Sequence, residues 1–274
     1  MKARAPDEGF FNRNFFLRAG STAALVPLVI FLVWKGGYFF AGLLIAGALL
    51  MDFEWAKLTR LPRLHQAILT AVVVGACWWL VAMGELTGLI DGLKLAVLIG
   101  LTAVGIGFIL KQAAPVWLGL GLVYIPVPVL ALGLVALLPE GTWWLIWMLA
   151  LIWIADTGAY LTGRLAKGPK LAPSISPGKT WSGFVGGVLA GGAGAGWLGA
   201  YFGLGEGLTL TALGGALAIV GQLGDLAESA IKRHFGVKDT GVLIPGQGGI
   251  LDRVDSLVFV APVVALGLWL TGPG

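Results

Sequence analysis

The chain is poor in the residues that usually carry soluble chemistry. Among 274 residues there is one cysteine, there are two histidines, and only 12% are Asp, Glu, Lys or Arg, about half the share of a soluble domain. Each scarcity removes a class of function. The lone Cys77 has no partner, so neither a disulfide framework nor a cysteine metal site is available, and its apolar setting marks it as a packing residue rather than a reactive thiol. His65 and His234, 169 positions apart, lend no support to a histidine metal site and read as solvated loop residues. No A-x-A-like cleavage site clearly follows the first apolar run, which is therefore read as a retained anchor rather than a cleaved signal peptide. Gly178, Lys179 and Thr180 spell the end of a P-loop, but that motif needs glycine where Pro173 stands, and a preceding strand. No soluble domain, long linker or internal repeat is visible.

What is abundant is apolar sequence: 58% of the residues are hydrophobic and the mean hydropathy is +0.91. A spanning helix needs roughly 20 mainly apolar residues, and runs of this kind lie near 20–34, 36–51, 67–84, 95–110, 114–138, 142–158, 183–201, 208–224 and 254–272. The expected fold is an all-α polytopic membrane protein of about nine transmembrane helices. The closest pair of spans is joined by Lys35 alone, and the fifth is interrupted by Pro115, Pro126 and Pro128, each of which lacks a backbone donor. With the N-terminus in the cytoplasm, 16 of the 18 Lys and Arg fall in cytoplasmic segments and only Lys35 and Lys94 outside, as the enrichment of positive charge in cytoplasmic loops demands.

The chain divides by character. Residues 1–138 are N-terminal apolar helices whose charges read as interface anchors, and 139–274 are C-terminal helices that carry, mostly between 150 and 256, nearly everything able to do chemistry. On the seventh span Gly183, Gly187 and Gly191 recur every four residues, the pattern that lets helix backbones approach closely in lipid. That contact can lie within the chain or between two copies, so a homodimer is left open.

From Asp225 to Asp255 nine charged residues fall within 31 positions. Asp225, Glu228, Ser229 and Lys232 are spaced i, i+3, i+4 and i+7, so on a helix they share one face. Asp252 and Asp255 repeat part of that spacing at the start of the last span, and between the two lies a loop with Gly246, Gly248 and Gly249, whose amides suit an anion. Interfacial ion pairing explains one or two of these residues but not so many carboxylates at a membrane boundary, where a charge costs about 2.5–3.5 kcal/mol at a helix centre unless something offsets it. A divalent cation is the natural offset, and Mg²⁺ typically takes one or two carboxylates plus phosphate oxygens. Lys232, Arg233, Lys238 and Arg253 then suit the phosphates. A second stretch, 156–183, sets Asp156 at the end of the sixth span before Arg164, Lys167, Lys170 and Lys179, with Ser174, Ser176, Thr180 and Ser182 as neutral donors: a plausible anion cradle.

The run Ser229, Ile231, Lys232, Arg233, Lys238, Asp239, Gly241, Ile244, Pro245, Gly248, Gly249, Ile250, Asp252, Arg253, Val254 and Asp255 resembles the signature of the phosphatidate cytidylyltransferases, also called CDP-diacylglycerol synthases. The stretches DTGAYLTGR, SPGKTW and GDLAES extend the resemblance over roughly the C-terminal half. Two positions depart from the family pattern. Gln247 stands where a His is common before the paired glycines, and Ser182 where a Glu often follows the KTW. Gln247 can hydrogen-bond a phosphate or base but carries no proton at neutral pH.

The resemblance implies that phosphatidic acid attacks the α-phosphate of CTP to give CDP-diacylglycerol and pyrophosphate, with one or two Mg²⁺ ions required. The nucleophile is already an oxyanion, so what remains is positioning and electrostatics. On this reading Asp225 and Asp252 anchor the metal, with Glu228 and Asp255 assisting, and Asp225, Asp252, Lys232 and Asp255 carry the reaction. Lys232, Arg233, Lys238 and Arg253 meet the CTP phosphates or the leaving group, Ser229 hydrogen-bonds a phosphate, and Asp239, Gln247, Gly248 and Gly249 belong to the same substrate loop. Lys179 and Arg164, with Asp156 nearby, are the candidates for the phosphatidate headgroup. The expected partners are phosphatidic acid, CTP and membrane lipid, with no nucleic acid, and the expected place is a bacterial inner membrane with the site facing the cytoplasm. Two other readings compete: a transporter of an anionic solute, since charges near helix ends and broken spans also mark transport paths, and a related CTP-dependent transferase acting on another lipid.

Overall fold

In the computed structural model, which describes residues 13–83, 86–244 and 246–271, the chain folds as ten helices and one short hairpin. Lys2, Arg4, Glu85 and Pro245 of the sequence reading lie outside the described residues. The helices are α1 (Arg13–Lys35), α2 (Gly37–Thr59), α3 (Arg63–Met83), α4 (Leu86–Leu110), α5 (Ala113–Tyr124), α6 (Pro126–Leu137), α7 (Gly141–Leu165), α8 (Trp181–Tyr201), α9 (Gly207–His234) and α10 (Leu251–Thr271). Eight spans among the described residues, α5 and α6 counting as one, are long and apolar enough to cross a bilayer, and Gly20–Lys35 is a ninth, shorter apolar stretch.

Both doubtful joints have a physical explanation. α1 and α2 are separate helices because Gly36 and Gly37 take φ of 62° and 48°, a left-handed turn that glycine makes without steric cost. The fifth span breaks at Ile125, and Pro126 opens α6 at a position where its missing N–H has no intrahelical acceptor in any case. This broken span is the most buried of the candidate spans, at 78% of its apolar window, and Ile125 is fully enclosed. Irregular backbone at membrane depth survives when it is surrounded by protein.

The glycine face of α8 is used within the chain. A Cβ at Gly187 or Gly191 would stand 3.0 Å from atoms of Ala155 on α7, and one at Gly192 3.0 Å from the Thr211 carbonyl of α9. α7, α8 and α9 therefore approach backbone to backbone, and Gly183, Gly187 and Gly191 are buried in that contact, not presented to a second copy.

The helices that carry charge run past the apolar limits read from the sequence: α2 continues from 51 to Thr59, α7 from 158 to Leu165 and α9 from 224 to His234, and α10 begins at Leu251, not 254. α9 has 28 residues, about 42 Å at 1.5 Å per residue, against a hydrocarbon core of about 30 Å. The charged face of α9 is thus a rigid helical extension at one end of the bundle. The segment after α7, expected as an open cradle, is an antiparallel hairpin of β1 (Lys170–Ala172) and β2 (Ser176–Thr180), with Lys170 opposite Thr180 and Ala172 opposite Ser176. Nor are the histidines loop residues. His65 lies in the first turn of α3, and His234 ends α9 against the rings of Trp117 and Phe235.

Candidate active site

Asp225, Glu228, Ser229 and Lys232 lie along one face of α9, the last three buried. Lys232 is the hub. Its Nζ lies 2.6 Å from Asp252 Oδ1 on α10 and 3.0 Å from Glu228 Oε1 one turn back on α9. Two carboxylates around one ammonium leave Lys232 with little net charge to offer a ligand.

Asp252 is satisfied on both oxygens. Its Oδ2 accepts from the backbone N–H of Thr240 (2.8 Å), the Thr240 hydroxyl (2.9 Å) and the N–H of Gly249 (2.9 Å). The glycine loop closes around it. Ile244 N–H donates to the Gly248 carbonyl at 2.9 Å, Gly248 takes φ of 93°, and a Cβ there would stand 2.7 Å from Asp252 Oδ2. The anion that these loop amides approach is therefore one of the protein's own. Glu228 is filled in the same way, with Oε1 against Lys232 and Oε2 accepting the Tyr124 hydroxyl of α5 at 3.1 Å.

A third carboxylate of this kind, Glu54, reaches in from α2 and was not anticipated. It is 1% exposed, and it accepts the N–H of Ile250 on Oε1 and of Leu251 on Oε2, each at 2.9 Å, together with the Thr240 hydroxyl at 3.1 Å. It caps α10 from a distant helix. Tyr124 and Thr240 were missed with it. Only Thr240 left a local signal, a hydroxyl between Asp239 and Gly241 in the stretch that bears the resemblance. Glu54 showed itself only as an acid three residues past the expected end of an apolar run.

Above this seam opens a cavity of about 940 Å³, at the upper end of the range for ligand pockets. One part of its wall is polar, with Asp156, Asp225, Lys232, Asp239, Gln247, Asp252, Arg253 and Asp255; the rest is apolar, from α1, α2, α6, α7 and α10, including Leu25, Val29, Leu44, Met148 and Leu257. Asp156, Asp225 and Asp255 lie near enough to feel one another's charge. Asp255 Oδ1 accepts from the Ser256 N–H at 2.7 Å, and Asp225 pairs with Lys179 at 2.7 Å and accepts a long bond, 3.3 Å, from the Ser229 hydroxyl.

Among the described residues no three acidic, His or Cys side chains converge closely enough to enclose a metal ion. That excludes an all-protein cage but fits the mode in which Mg²⁺ takes one or two carboxylates and completes its shell with phosphate oxygens and water. Asp225 and Asp255, repelling each other on the wall of one cavity, suit that role. The oxygens of Asp252 and Glu228 are engaged by Lys232, Tyr124 and the loop, and Asp252 also reaches the cavity wall.

The remaining site residues scatter. Lys179 is the base of the hairpin, tied to Asp225. Arg253 lines the cavity. Lys238 and Asp239 are exposed on the loop, and Asp239 reaches the cavity wall. Gln247 donates to Thr22 Oγ1 on α1 at 2.7 Å. Arg233 holds the hairpin, its Nε donating to the Ile175 carbonyl at 3.1 Å. Arg164 bonds the Tyr160 hydroxyl at 2.8 Å and is absent from the cavity wall. Two of the four hydroxyls of the expected cradle are engaged locally, Thr180 capping α8 at Gly183 N–H and Ser182 donating to the Lys167 carbonyl.

Comparison with known proteins agrees in scope with this geometry. The profile described as "Cytidylyltransferase family" matches residues 16–271. A phosphatidate cytidylyltransferase of Brucella suis is 37% identical over 257 residues, covering 92% of this chain and 93% of that protein. One from Staphylococcus epidermidis is 46% identical over 126 residues, 46% of this chain and 48% of its own length. One from Rickettsia felis is 35% identical over 178 residues, 62% and 78% of the two chains.

Proposed function

The chain belongs to the cytidylyltransferase family, and from that premise we propose that it transfers CMP from CTP to phosphatidic acid, forming CDP-diacylglycerol and pyrophosphate. The observation that carries the choice of substrate is the cavity, acidic and basic at one end and apolar along the rest. A phosphate monoester on two acyl chains has that same division, and a water-soluble acceptor does not.

A phosphatidate oxygen attacks the α-phosphorus of CTP, the new P–O bond forms, and the bond to the β-phosphate oxygen breaks with its electron pair leaving on pyrophosphate. The attacking oxygen is already ionised, so no base has to remove a proton, and Gln247 in place of an ionisable group is no obstacle. What the site must provide is alignment of two polyanions and stabilisation of the departing charge. Arg253 lines the cavity near Asp156, and its side chain makes no ion pair or hydrogen bond among the described residues, so of the two cations on the cavity wall it, and not Lys232, has charge to offer a phosphate. Lys179 can turn from Asp225 to an incoming phosphate without being desolvated afresh, since its Nζ is already buried against that carboxylate. Asp225 and Asp255 would hold Mg²⁺, which when bound neutralises charge on the phosphates and on the departing pyrophosphate. Lys232, between Glu228 and Asp252, keeps α9 and α10 in register behind them.

The site faces the cytoplasm in this reading, with the N-terminus on the same side. The distribution of Lys and Arg supports that orientation, and the bacterial sources of the relatives support an inner membrane. Purified protein incubated in detergent with phosphatidic acid and labelled CTP should form CDP-diacylglycerol and equimolar pyrophosphate with Mg²⁺ and neither product with EDTA. No product from folded protein in the presence of Mg²⁺ would overturn the reading.

A further inference from the structure

Glu54 is far in sequence from the residues assigned to the reaction, and its surroundings are more specific than capping requires. A helix start is ordinarily served by a local Ser, Thr, Asp or Asn. Here the junction before α10 reads Gly248, Gly249, Ile250, and its two leading amides are met by a carboxylate 196 and 197 positions away. The loop is shaped to that carboxylate: a Cβ at Gly241 would stand 2.8 Å from Glu54 Oε1, and one at Gly249 would collide with Glu54 and Thr240. Glu54 Oε2 and Asp252 Oδ2 share the single Thr240 hydroxyl, at 3.1 and 2.9 Å. The next residue, Trp55, stacks on Tyr124 with ring centroids 5.1 Å apart, and Tyr124 donates to Glu228. Both anions that hold Lys232 are thus held in turn from adjacent positions of α2.

We propose that Glu54 is a positioning residue for the transfer. By fixing where α10 begins it sets the place of Asp255 one turn into that helix, and through Thr240 and Asp252 it sets the place of Lys232. It also occupies the α10 amides with an internal anion, so the substrate phosphates are met by side chains and not by that helix end. The inference rests on the transferase reading above.

The test compares full-length wild type with Glu54→Gln, Glu54→Asp, Thr240→Val and the Glu54→Gln/Thr240→Val double variant, each purified folded in detergent, with kcat and KM counted per folded molecule. Glu54→Gln keeps the volume but turns one acceptor into a donor facing other donors. It should lower kcat by about 100-fold, the cost of an ångström-scale misplacement, with the KM for phosphatidate within about threefold of wild type because the apolar wall is untouched. Glu54→Asp should recover a measurable part of that loss. Thr240→Val, which leaves the α10 amides satisfied, should cost about tenfold, and the double variant no more than Glu54→Gln alone, since both act through Asp252. A Glu54→Gln enzyme with lower folded yield but kcat within about threefold of wild type would make the residue merely structural and overturn the inference. Should Glu54→Gln not fold, Thr240→Val decides alone, and kcat within about twofold of wild type overturns it. Wild type with no transferase activity overturns the functional reading and this inference together, whereas active wild type beside active Glu54→Gln overturns only this one.

Discussion

Two sets of carboxylates share one end of the bundle and are used in opposite ways. Glu54, Glu228 and Asp252 are buried, and each of their oxygens meets a donor or cation of the protein. Asp156, Asp225 and Asp255 line the cavity in one another's field, and the Asp156 side chain makes no ion pair or hydrogen bond among the described residues. The contrast shows most clearly in the two ion pairs. Lys232 and Glu228 have side chains 11% and 2% exposed, Lys179 and Asp225 23% and 30%. Both sets are carboxylates; what differs is the number of protein donors within reach. A carboxylate already surrounded by donors holds structure, and one surrounded by like charge is left for a ligand.

The largest effect that would sharpen this contrast is at Asp225 and Asp255. Asp225→Asn and Asp255→Asn should each lower CMP transfer by about 100-fold or more, the usual cost of removing one strong electrostatic contact, with the unfolding midpoint in detergent unchanged. Glu228→Gln and Asp252→Asn should lose activity as well, but with an unfolding midpoint lowered by several degrees, because breaking a buried pair costs about 3 kcal/mol. Equal midpoints across the two pairs of variants would break the distinction. A smaller signal is expected from metal alone: saturating Mg²⁺ should stabilise wild type and Glu228→Gln by about 2.7 kcal/mol at a hundredfold excess over Kd, read as a raised midpoint that EDTA reverses, while Asp225→Asn shows no rise. The smallest effect is at Arg164, whose one hydrogen bond is to Tyr160. Arg164→Ala should leave turnover within about twofold of wild type, as surface changes away from a site generally do; a tenfold loss would return it to the headgroup site.

The sequence carried the fold well where the signal is local. Nine apolar runs correspond to nine helical segments, and the break at Pro126 and the turn at Gly36 fall where proline and glycine stand. The helix limits were misjudged wherever a charged face continued an apolar helix, at Thr59, Leu165 and His234, because hydropathy measures the lipid and not the hydrogen-bonded backbone that runs on beyond it. The stretch 156–183 reads as an anion cradle of cations and hydroxyls because Thr180 and Ser182 look free until their partners, Gly183 N–H and the Lys167 carbonyl, are brought beside them.

By itself the sequence determined that this is a helical membrane protein, that its charge gathers at one membrane face around 225–255, and that this stretch resembles a nucleotide-dependent lipid transferase. All three rest on composition, run length and spacing along the chain, which need no knowledge of what lies opposite. Only the tertiary structure decided which acids are surrounded by the protein's own donors and which lie in one another's field, that Gln247 is tied to α1, and that Glu54, nearly 200 residues before the helix it caps, belongs to the site at all. The reason is physical: a carboxylate's role depends on the donors around it, and here the acids and their donors come from α2, α5, α9, α10 and the loop between the last two, segments that meet only when the bundle closes.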